Sequence, residues 1–305
     1  MKNNLNIITK RRWFFALSGL VLVPGFIALA LFGLKFSIDF TGGSKLLIDP
    51  SQDSILQRNT IEDIYKKEGI EIHNIVEQGN EILIRSISMS QKKHEKVFDE
   101  LAKKDPGVKE NSFETVGAVI GNETKTNAIK AVVISIIAIT LYVAFAFRAV
   151  SQPVASWKFG IVTIITLAHD ILVTVGIFAI LGKVFQVEVD SLFITALLTI
   201  LGFSVHDTIV VFDRIRENLK KNSSGGSFDI IVNNSILETA NRSFNTSVTV
   251  IFVLSALLFF SEGPIFWFVI ALLIGIISGV YSSVFTAAPL LVEWYEWDKK
   301  HKKKK

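Results

Sequence analysis

The sequence predicts a membrane protein: an all-α bundle of six transmembrane helices, with an α+β domain inserted after the first helix and exposed outside the membrane. Three observations predict this fold class. The 305 residues are 50% hydrophobic, with a mean hydropathy of +0.45, which is higher than in most soluble enzymes. Six apolar runs approach or exceed the length of about 20 residues that crosses a bilayer. Charged residues make up only 20% of the chain, and most of them lie in one block and in the two tails.

The apolar runs define the domain organisation. They lie at 13–34, 128–147, 158–181, 191–212, 244–260 and 264–292. The fifth run is short for a span, and the sixth is long enough to tilt or to extend past the interface. The predicted domains are the N-terminus with the first span (1–34), the external domain (35–127), the remaining spans (128–292, with a cytoplasmic loop at about 213–243) and a basic cytoplasmic tail (293–305).

Basic residues lie at both ends of the membrane region. Lys10–Arg12 precede the first run, and Lys302–Lys305 close the chain after the last one. Because Lys and Arg are enriched on the cytoplasmic side, we expect both termini in the cytoplasm and residues 35–127 outside. The alternative is a cleaved signal peptide, since Ala28-Leu29-Ala30 resembles a cleavage site. The apolar run continues through Leu34, which favours a retained span.

The block from residue 35 to 128 has the character of a soluble domain. It holds 13 basic and 16 acidic residues, and its apolar positions recur at strand and helix periods. Strands are predicted at 46–48, 72–76, 82–84 and 112–116, and helices at 55–67 and 90–103. Ser54 is a possible cap of the first helix. The resulting order, β-α-β-β-α-β, is that of a ferredoxin-like fold.

The external domain shows no pattern typical of an enzyme. It has no Gly-rich phosphate loop and no metal cluster, and its two histidines, His73 and His94, are predicted on solvated polar faces. The chain has no cysteine, which excludes disulfides and thiolate chemistry. We therefore predict a domain that binds or moves, and a protein that is not an enzyme and has no metal site.

Ionisable residues at membrane depth are costly, so they indicate function by default. In the third run, a polar stripe recurs at spacings of 3, 4 and 4, which places it on one helix face. The stripe consists of Thr163, Thr166, Asp170 and Thr174, with His169 beside it. Asp170 lies at the midpoint of the run.

The fourth and fifth runs carry similar stripes. Asp207 lies within about 20° of Arg214 on a helical wheel, and Thr199, Ser204 and His206 lie on the same half of the helix. The fifth run has Arg242, Asn245, Thr246 and Thr249. Since burial favours a protonated carboxylic acid and a nearby cation favours the carboxylate, Asp170, His206, Asp207 and Arg242 are the candidate proton relay.

The alternative for these stripes is that they only join helices, because hydrogen bonds between membrane helices are common and each contributes roughly 0.6–2 kcal/mol. In the sixth run, Gly275 and Gly279 form a GxxxG pattern that is typical of close helix packing. We interpret this pair as structural.

Three segments resemble the SecD/SecF family of bacterial protein-export subunits, in the RND superfamily. They are Asp39-Phe40-Thr41-Gly42-Gly43, the run from Gly202 to Asn218 that contains His206-Asp207 and Asp213-Arg214, and Asn241 to Ser247, which contains Arg242 and Asn245. The resemblance covers nearly the whole chain. The segment in the fourth run is the most specific of the three.

This resemblance implies a helper of the Sec translocon in the bacterial cytoplasmic membrane that uses the proton motive force to assist preprotein export, with no cofactor beyond the proton gradient. It implies that Asp207 carries the proton and that Arg242 lies near it. His206 stands where we expect asparagine, so its part in the relay is left open. The implied partners are SecD, the SecYEG translocon, YajC, YidC, unfolded preprotein and membrane lipids, and not nucleic acid.

Two other functions compete with this one. The first is a non-conducting scaffold of the translocon, which dependence of proton flux on Asp207 would exclude. The second is an RND-type exporter of small molecules, although such exporters usually carry larger external domains than the roughly 80 residues expected here.

Overall fold

Six helical spans in the computed structural model are long and apolar enough to cross a membrane. The structure describes residues 6–51, 56–148, 154–221 and 227–302. The first span is a 3₁₀ turn at Ile8–Lys10 followed by α1 at Arg11–Phe32; the next four are α5 at Ala118–Ala146, α6 at Ser156–Val184, α7 at Ser191–Lys221 and α8 at Phe228–Phe260. The last span joins α9 at Gly263–Ser282, a π-helical turn at Ser283–Ala287 and α10 at Ala288–Lys302. The predicted bundle of six membrane helices is confirmed.

Several helices extend well beyond the apolar runs that predicted them. Helix α7 continues to Lys221 and α8 begins at Phe228, so the segment predicted as a loop at 213–243 is largely helical. The apolar pattern marks only the part of a helix that suits lipid. The polar extensions are amphipathic, and their buried residues, such as Ile215 and Val232, join one hydrophobic core. In the same way α10 extends into the basic tail as far as Lys302.

Close packing of small residues brings the central helices together. A Cβ added to Gly176 of α6 would lie 2.7 Å from Cα of Gly25 in α1. On α9, Gly275 packs against Ile200, and a Cβ added to Gly279 would lie 3.0 Å from Cβ of Ser204. Helix α6 therefore lies close against α1, and α9 lies close against α7, as is typical of small residues between membrane helices.

Ion pairs connect the first and last helices of the bundle. The guanidinium of Arg11 lies 2.6 Å from Glu293 Oε2 and 2.6 Å from Glu296 Oε2. Lys158 at the start of α6 pairs with Asp298 of α10. These contacts hold the beginning of α1 and α6 against the C-terminal helix.

Residues 36–129 form a compact unit of their own, which we call the inserted domain. After the short helix α2 at Ile38–Thr41, its elements are β1 at Gly43–Asp49, α3 at Arg58–Lys67, β2 at Ile72–Gln78, β3 at Glu81–Ser86, α4 at Gln91–Lys104 and β4 at Lys109–Val116. The antiparallel sheet has the order β2-β3-β1-β4. This is the predicted β-α-β-β-α-β arrangement. The proposed cap Ser54 lies outside the described residues.

The core of the inserted domain contains a histidine that we predicted to be solvated. His73 is exposed, as expected, but His94 is only 5% exposed. Its ring stacks on Phe113, with 3.7 Å between the centroids, and its Nε2 lies 3.1 Å from Glu110 Oε2. The prediction for His94 was wrong because residue 94 shares a helix face with the core residues Val97 and Leu101, at spacings of 3 and 4.

Candidate functional site in the membrane bundle

Asp170 lies at the centre of the membrane bundle and has no exposed surface. The predicted stripe on α6 faces inward, since Thr163, Thr166 and Thr174 are also buried. Each of these threonines donates a hydrogen bond to a backbone carbonyl one turn earlier on its own helix. Asp170 is thus the one member of the stripe whose side chain reaches other helices.

Four donors surround the Asp170 carboxylate. Ser204 of α7 and Ser282 of α9 donate to Oδ2 at 2.5 and 2.8 Å. Ser278 of α9 donates to Oδ1 at 2.8 Å, and Nδ1 of His169 lies 3.0 Å from the same oxygen. A serine hydroxyl has one proton to donate, and Ser282 also lies 3.1 Å from the Gly279 carbonyl, so it shares its donor between two acceptors. The carboxylate fastens α6, α7 and α9 together.

His169 extends this network to the first helix. Its Nε2 lies 3.2 Å from Oγ of Ser18 in α1, and Ser18 is also within 3.4 Å of the Thr286 hydroxyl in the π-helical turn. A cavity of about 370 Å³, lined mainly by apolar side chains, lies beside His169 and Ser18. The sequence interpretation missed Ser18 and Ser278. For Ser278, its spacing of four residues from Ser282 was the available signal.

Asp207 is the second buried carboxylate, and its surroundings are different. It lies on α7 and is 3% exposed. Its Oδ2 has no hydrogen-bond partner among the residues that the structure describes. Its polar neighbours are Ser243 and Ser247 of α8, which are both 2% exposed. Ser247 donates to the Ser243 carbonyl at 2.7 Å, whereas the Ser243 hydroxyl is also unpartnered within the described part of the chain.

The polar stripe predicted on α8 points away from the bundle. Arg242, Asn245, Thr246 and Thr249 are exposed, and the buried face is one residue displaced, at Ser243 and Ser247. No ion pair between Arg242 and Asp207 is formed within the described ranges. His206 is exposed as well, on the other side of α7 from the buried Ser204. The structure therefore brings Asp170 and Ser204 together but leaves Arg242 and His206 at the surface of this chain.

The remaining residues of the fourth-span motif form a surface network. Arg214 donates to Glu217 at 2.5 Å and also pairs with Glu238 of α8. Asp213 lies 2.6 Å from Arg216 on the same helix. These pairs connect the polar ends of α7 and α8. Asp39, Gly42 and Gly43 lie in the inserted domain, before and at the start of β1.

Comparison with known proteins finds relatives along nearly the whole chain. The family described as "Protein export membrane protein SecD/SecF, C-terminal" matches residues 96–297, and the "SecD/SecF GG Motif" matches residues 27–53. The protein translocase subunit SecF of Thermobaculum terrenum is 44% identical over 305 residues, covering 96% of this chain and 95% of the relative. That of Anaerolinea thermophila is 38% identical and covers 97% of each.

Longer relatives match this chain with part of their length. The protein translocase subunit SecDF of Bacillus subtilis is 36% identical, covering 94% of this chain and 37% of its own. The crystal structure of SecDF from Thermus thermophilus, a translocon-associated membrane protein, matches with a TM-score of 0.81 and 30% identity, over 97% of this chain and 39% of that one. This chain thus spans about two fifths of the solved SecDF chain.

Proposed function

Because the chain belongs to the SecD/SecF family of protein-export membrane proteins, we propose that it assists preprotein export across the bacterial cytoplasmic membrane, that Asp207 takes up and releases the protons that drive it, and that SecD is its partner. The chain is a multi-pass membrane protein, and its role is in transport. The proposal assigns it no chemical reaction.

The observation that supports Asp207 as the proton site is its unpartnered oxygen inside the bundle. A buried carboxylate with one oxygen that lacks a donor is costly to keep ionised, because hydrogen bonds offset only part of the desolvation cost. Protonation removes that cost, and the approach of a donor or a cation restores the charged form. Ser243 and Ser247 lie beside the carboxylate on α8. A small movement of α8 relative to α7 can therefore change which form is favoured.

Asp170 has a supporting role in this proposal. Its carboxylate already accepts from Ser204, Ser278 and Ser282, on two other helices. Loss of its charge would disrupt all of these contacts at once. We assign Asp170 to anchoring α6, α7 and α9 while Asp207 cycles.

The exposed polar residues of α7 and α8 support a partner on that part of the bundle. Arg242, Asn245 and His206 would meet lipid if the chain were alone, which is unfavourable at membrane depth. This chain covers 37% and 39% of the two SecDF relatives, so about three fifths of their length has no counterpart here, and SecD would supply that part. We propose that SecD covers these residues and places Arg242 where it can act on Asp207.

We propose the orientation and the wider assembly from charge and family membership. The basic ends support a topology with both termini in the cytoplasm and the inserted domain outside. The further partners proposed are the SecYEG translocon, YajC, YidC and the unfolded preprotein. Single cysteines introduced at Lys92 and at His301 should react with an impermeant reagent from opposite sides of the membrane.

The test is proton flux and preprotein export in vesicles that contain this chain and SecD. Asp207→Asn removes the proton site at nearly constant volume, and we expect it to abolish both activities while the complex still assembles. Asp99→Asn makes the same change on the exposed surface of α4 and should behave as wild type. Wild-type flux and export in Asp207→Asn would favour the non-conducting scaffold.

A further inference from the structure

The Gly42-Gly43 pair ends α2 in a backbone conformation that requires glycine. Gly42 has φ 70° and ψ 171°, and Gly43 has φ 123°. This part of backbone space is essentially limited to glycine. The preceding residues hold the turn in place: Ser37 Oγ accepts from the Asp39 amide at 3.2 Å, and Thr41 Oγ1 donates to the Ser37 carbonyl at 3.0 Å.

Gly42 also packs directly on the first turn of α5. A Cβ added to Gly42 would lie 2.7 Å from Cα of Ala118, and one added to Gly121 would lie 2.7 Å from the Gly42 nitrogen. Neither approach leaves room for a methyl group, because the atoms met are backbone atoms of the opposite segment. The turn and the helix are therefore in backbone-to-backbone contact from both sides.

The β-sheet also fixes the position of the glycine pair. Gly43 begins β1 and pairs with Val116, the last residue of β4, and α5 begins two residues later at Ala118. A Cβ at Gly43 would lie 2.8 Å from the Ser86 carbonyl oxygen of β3. The glycine pair thus lies where the sheet, the turn after the first span and the start of α5 converge.

We propose that the segment Asp39-Phe40-Thr41-Gly42-Gly43 is a rigid joint that, within the inserted domain, fixes the sheet to the first turns of α5. Helix α5 is unbroken from Ala118 to Ala146 and so enters a membrane span. The sheet and the first turns of α5 then move together, so that a displacement of the first turns of α5 reaches the sheet through this joint. The part of this inference that concerns transmission rests on the proposed function in export.

The test measures the distance between nitroxide labels in the full chain, paired with SecD in lipid nanodiscs. Because the chain has no cysteine, Lys92→Cys in α4 and Asn127→Cys in α5 give two labels at exposed positions. We expect a narrow distance distribution for the otherwise wild-type chain and a broad one for Gly121→Ala. The matched control is Gly117→Ala, since a Cβ at Gly117 meets no atom within 4 Å. It should keep the narrow distribution.

Export measured on the same samples tests the functional part. Gly121→Ala should lose export several-fold, and Gly117→Ala should retain it. If Gly121→Ala prevents folding, insertion of two glycines between Gly117 and Ala118 separates the domain from α5 without adding a Cβ to the contact, and it should give the same two results.

The results of these experiments distinguish failure of the rigid joint from failure of Asp207 as the proton site. Asp207→Asn should lose export but keep the narrow distribution, so failure of the proton proposal leaves the joint untouched. A narrow distribution in Gly121→Ala, and in the insertion variant, would overturn the joint. A broad distribution with full export would overturn its role in transmission.

Discussion

Asp170 and Asp207 are both carboxylates buried between membrane helices, but the structure surrounds them in opposite ways. Asp170 accepts from three serine hydroxyls and contacts His169. Asp207 has an oxygen without a partner among the described residues, although Ser243 and Ser247 lie beside it. Burial alone therefore does not identify a proton site. The supply of donors decides whether a buried carboxylate is held in one charge state or is able to change it.

The two carboxylates also differ in which helices would have to move to change their hydrogen-bond donors. The donors of Asp170 come from α7 and α9, which are packed through Gly275 and Gly279 with no space for a side chain. Asp207 faces a helix whose membrane part is mostly exposed on the bundle surface. Relocating donors around Asp170 would require the bundle core to rearrange. At Asp207 a displacement of one peripheral helix is sufficient.

The largest effect that we expect is on stability, and it distinguishes the two carboxylates. Asp170→Asn replaces an acceptor by a group that carries its own donors, so it leaves buried hydroxyls unsatisfied and should destabilise the bundle by about 3 kcal/mol. Asp207→Asn should leave stability unchanged or slightly raised, because a neutral amide is less costly to bury than an unpaired carboxylate. Thermal unfolding of the SecD complex, followed by tryptophan fluorescence, measures both.

The position of the fluorophores makes this measurement specific. The tryptophans of this chain lie at 13, 157, 267, 294 and 297, so its own contribution to the signal comes from the membrane helices and not from the inserted domain. Equal unfolding temperatures for the two variants would remove the distinction between an anchored and a changeable carboxylate.

The second prediction concerns Arg242, whose exposed side chain is one residue from Ser243. If SecD places this cation near Asp207 in part of the cycle, Arg242→Gln should lower proton flux and export roughly tenfold, the range of a typical coupling between sites. Because the side chain is exposed in this chain, stability should not change. Arg58→Gln, on the surface of α3, is the matched control. Unaltered flux in Arg242→Gln would leave Asp207 without a cationic partner from this chain.

The sequence allowed the spans, the order of helices and strands in the inserted domain and both membrane carboxylates to be predicted, because apolar length, period and the cost of buried charge are local properties. It did not allow us to predict which face of each helix is buried against its neighbours. On α8 the sequence indicates a polar stripe that contains Arg242 and Thr246, yet the structure buries Ser243 and Ser247 instead. Membrane helices pack through small residues, which explains why serines lie on the buried face. A polar side chain on the exposed face can instead bind a helix of a partner chain. One chain alone does not contain that information.

A smaller effect is expected at His206, which follows Ser204 and precedes Asp207 on α7 but is exposed and forms no hydrogen bond with Asp207 among the described residues. The imidazole is exposed on α7, whereas Asp207 is buried. His206→Asn should therefore change proton flux by less than about twofold, as expected for an exposed substitution away from the buried site. Flux measured across a range of pH is the most sensitive readout. A loss comparable to that of Asp207→Asn would place the histidine in the relay.

The smallest effect tests whether an unpartnered buried group always indicates function. Tyr65 of α3 is 1% exposed, and its hydroxyl has no hydrogen-bond partner in the described part of the chain. It lies in the core of the inserted domain. Tyr65→Phe removes the unsatisfied hydroxyl, so it should stabilise the domain by up to about 1 kcal/mol without affecting export. Hydrogen exchange of the β1 and β3 amides at neutral pH measures this.

The pH dependence of the domain's stability is a second, independent test of whether the Tyr65 hydroxyl is buried. Burial, and then the negative charge of Glu110, raise the pKa of Tyr65 in the folded domain. An acid whose folded pKa is raised contributes stability that is complete below its unfolded pKa, about 10, and that is lost as the pH rises through the folded value. Tyr65→Phe should therefore weaken the alkaline loss of stability of the domain. The phenolate absorbance that disappears in the variant should develop only above the ordinary tyrosine range. Ionisation of Tyr65 at an ordinary pKa would show that its hydroxyl is solvated. Tyr65 could then no longer serve as an unpartnered buried group without a function, and Asp207 could be compared only with Asp170.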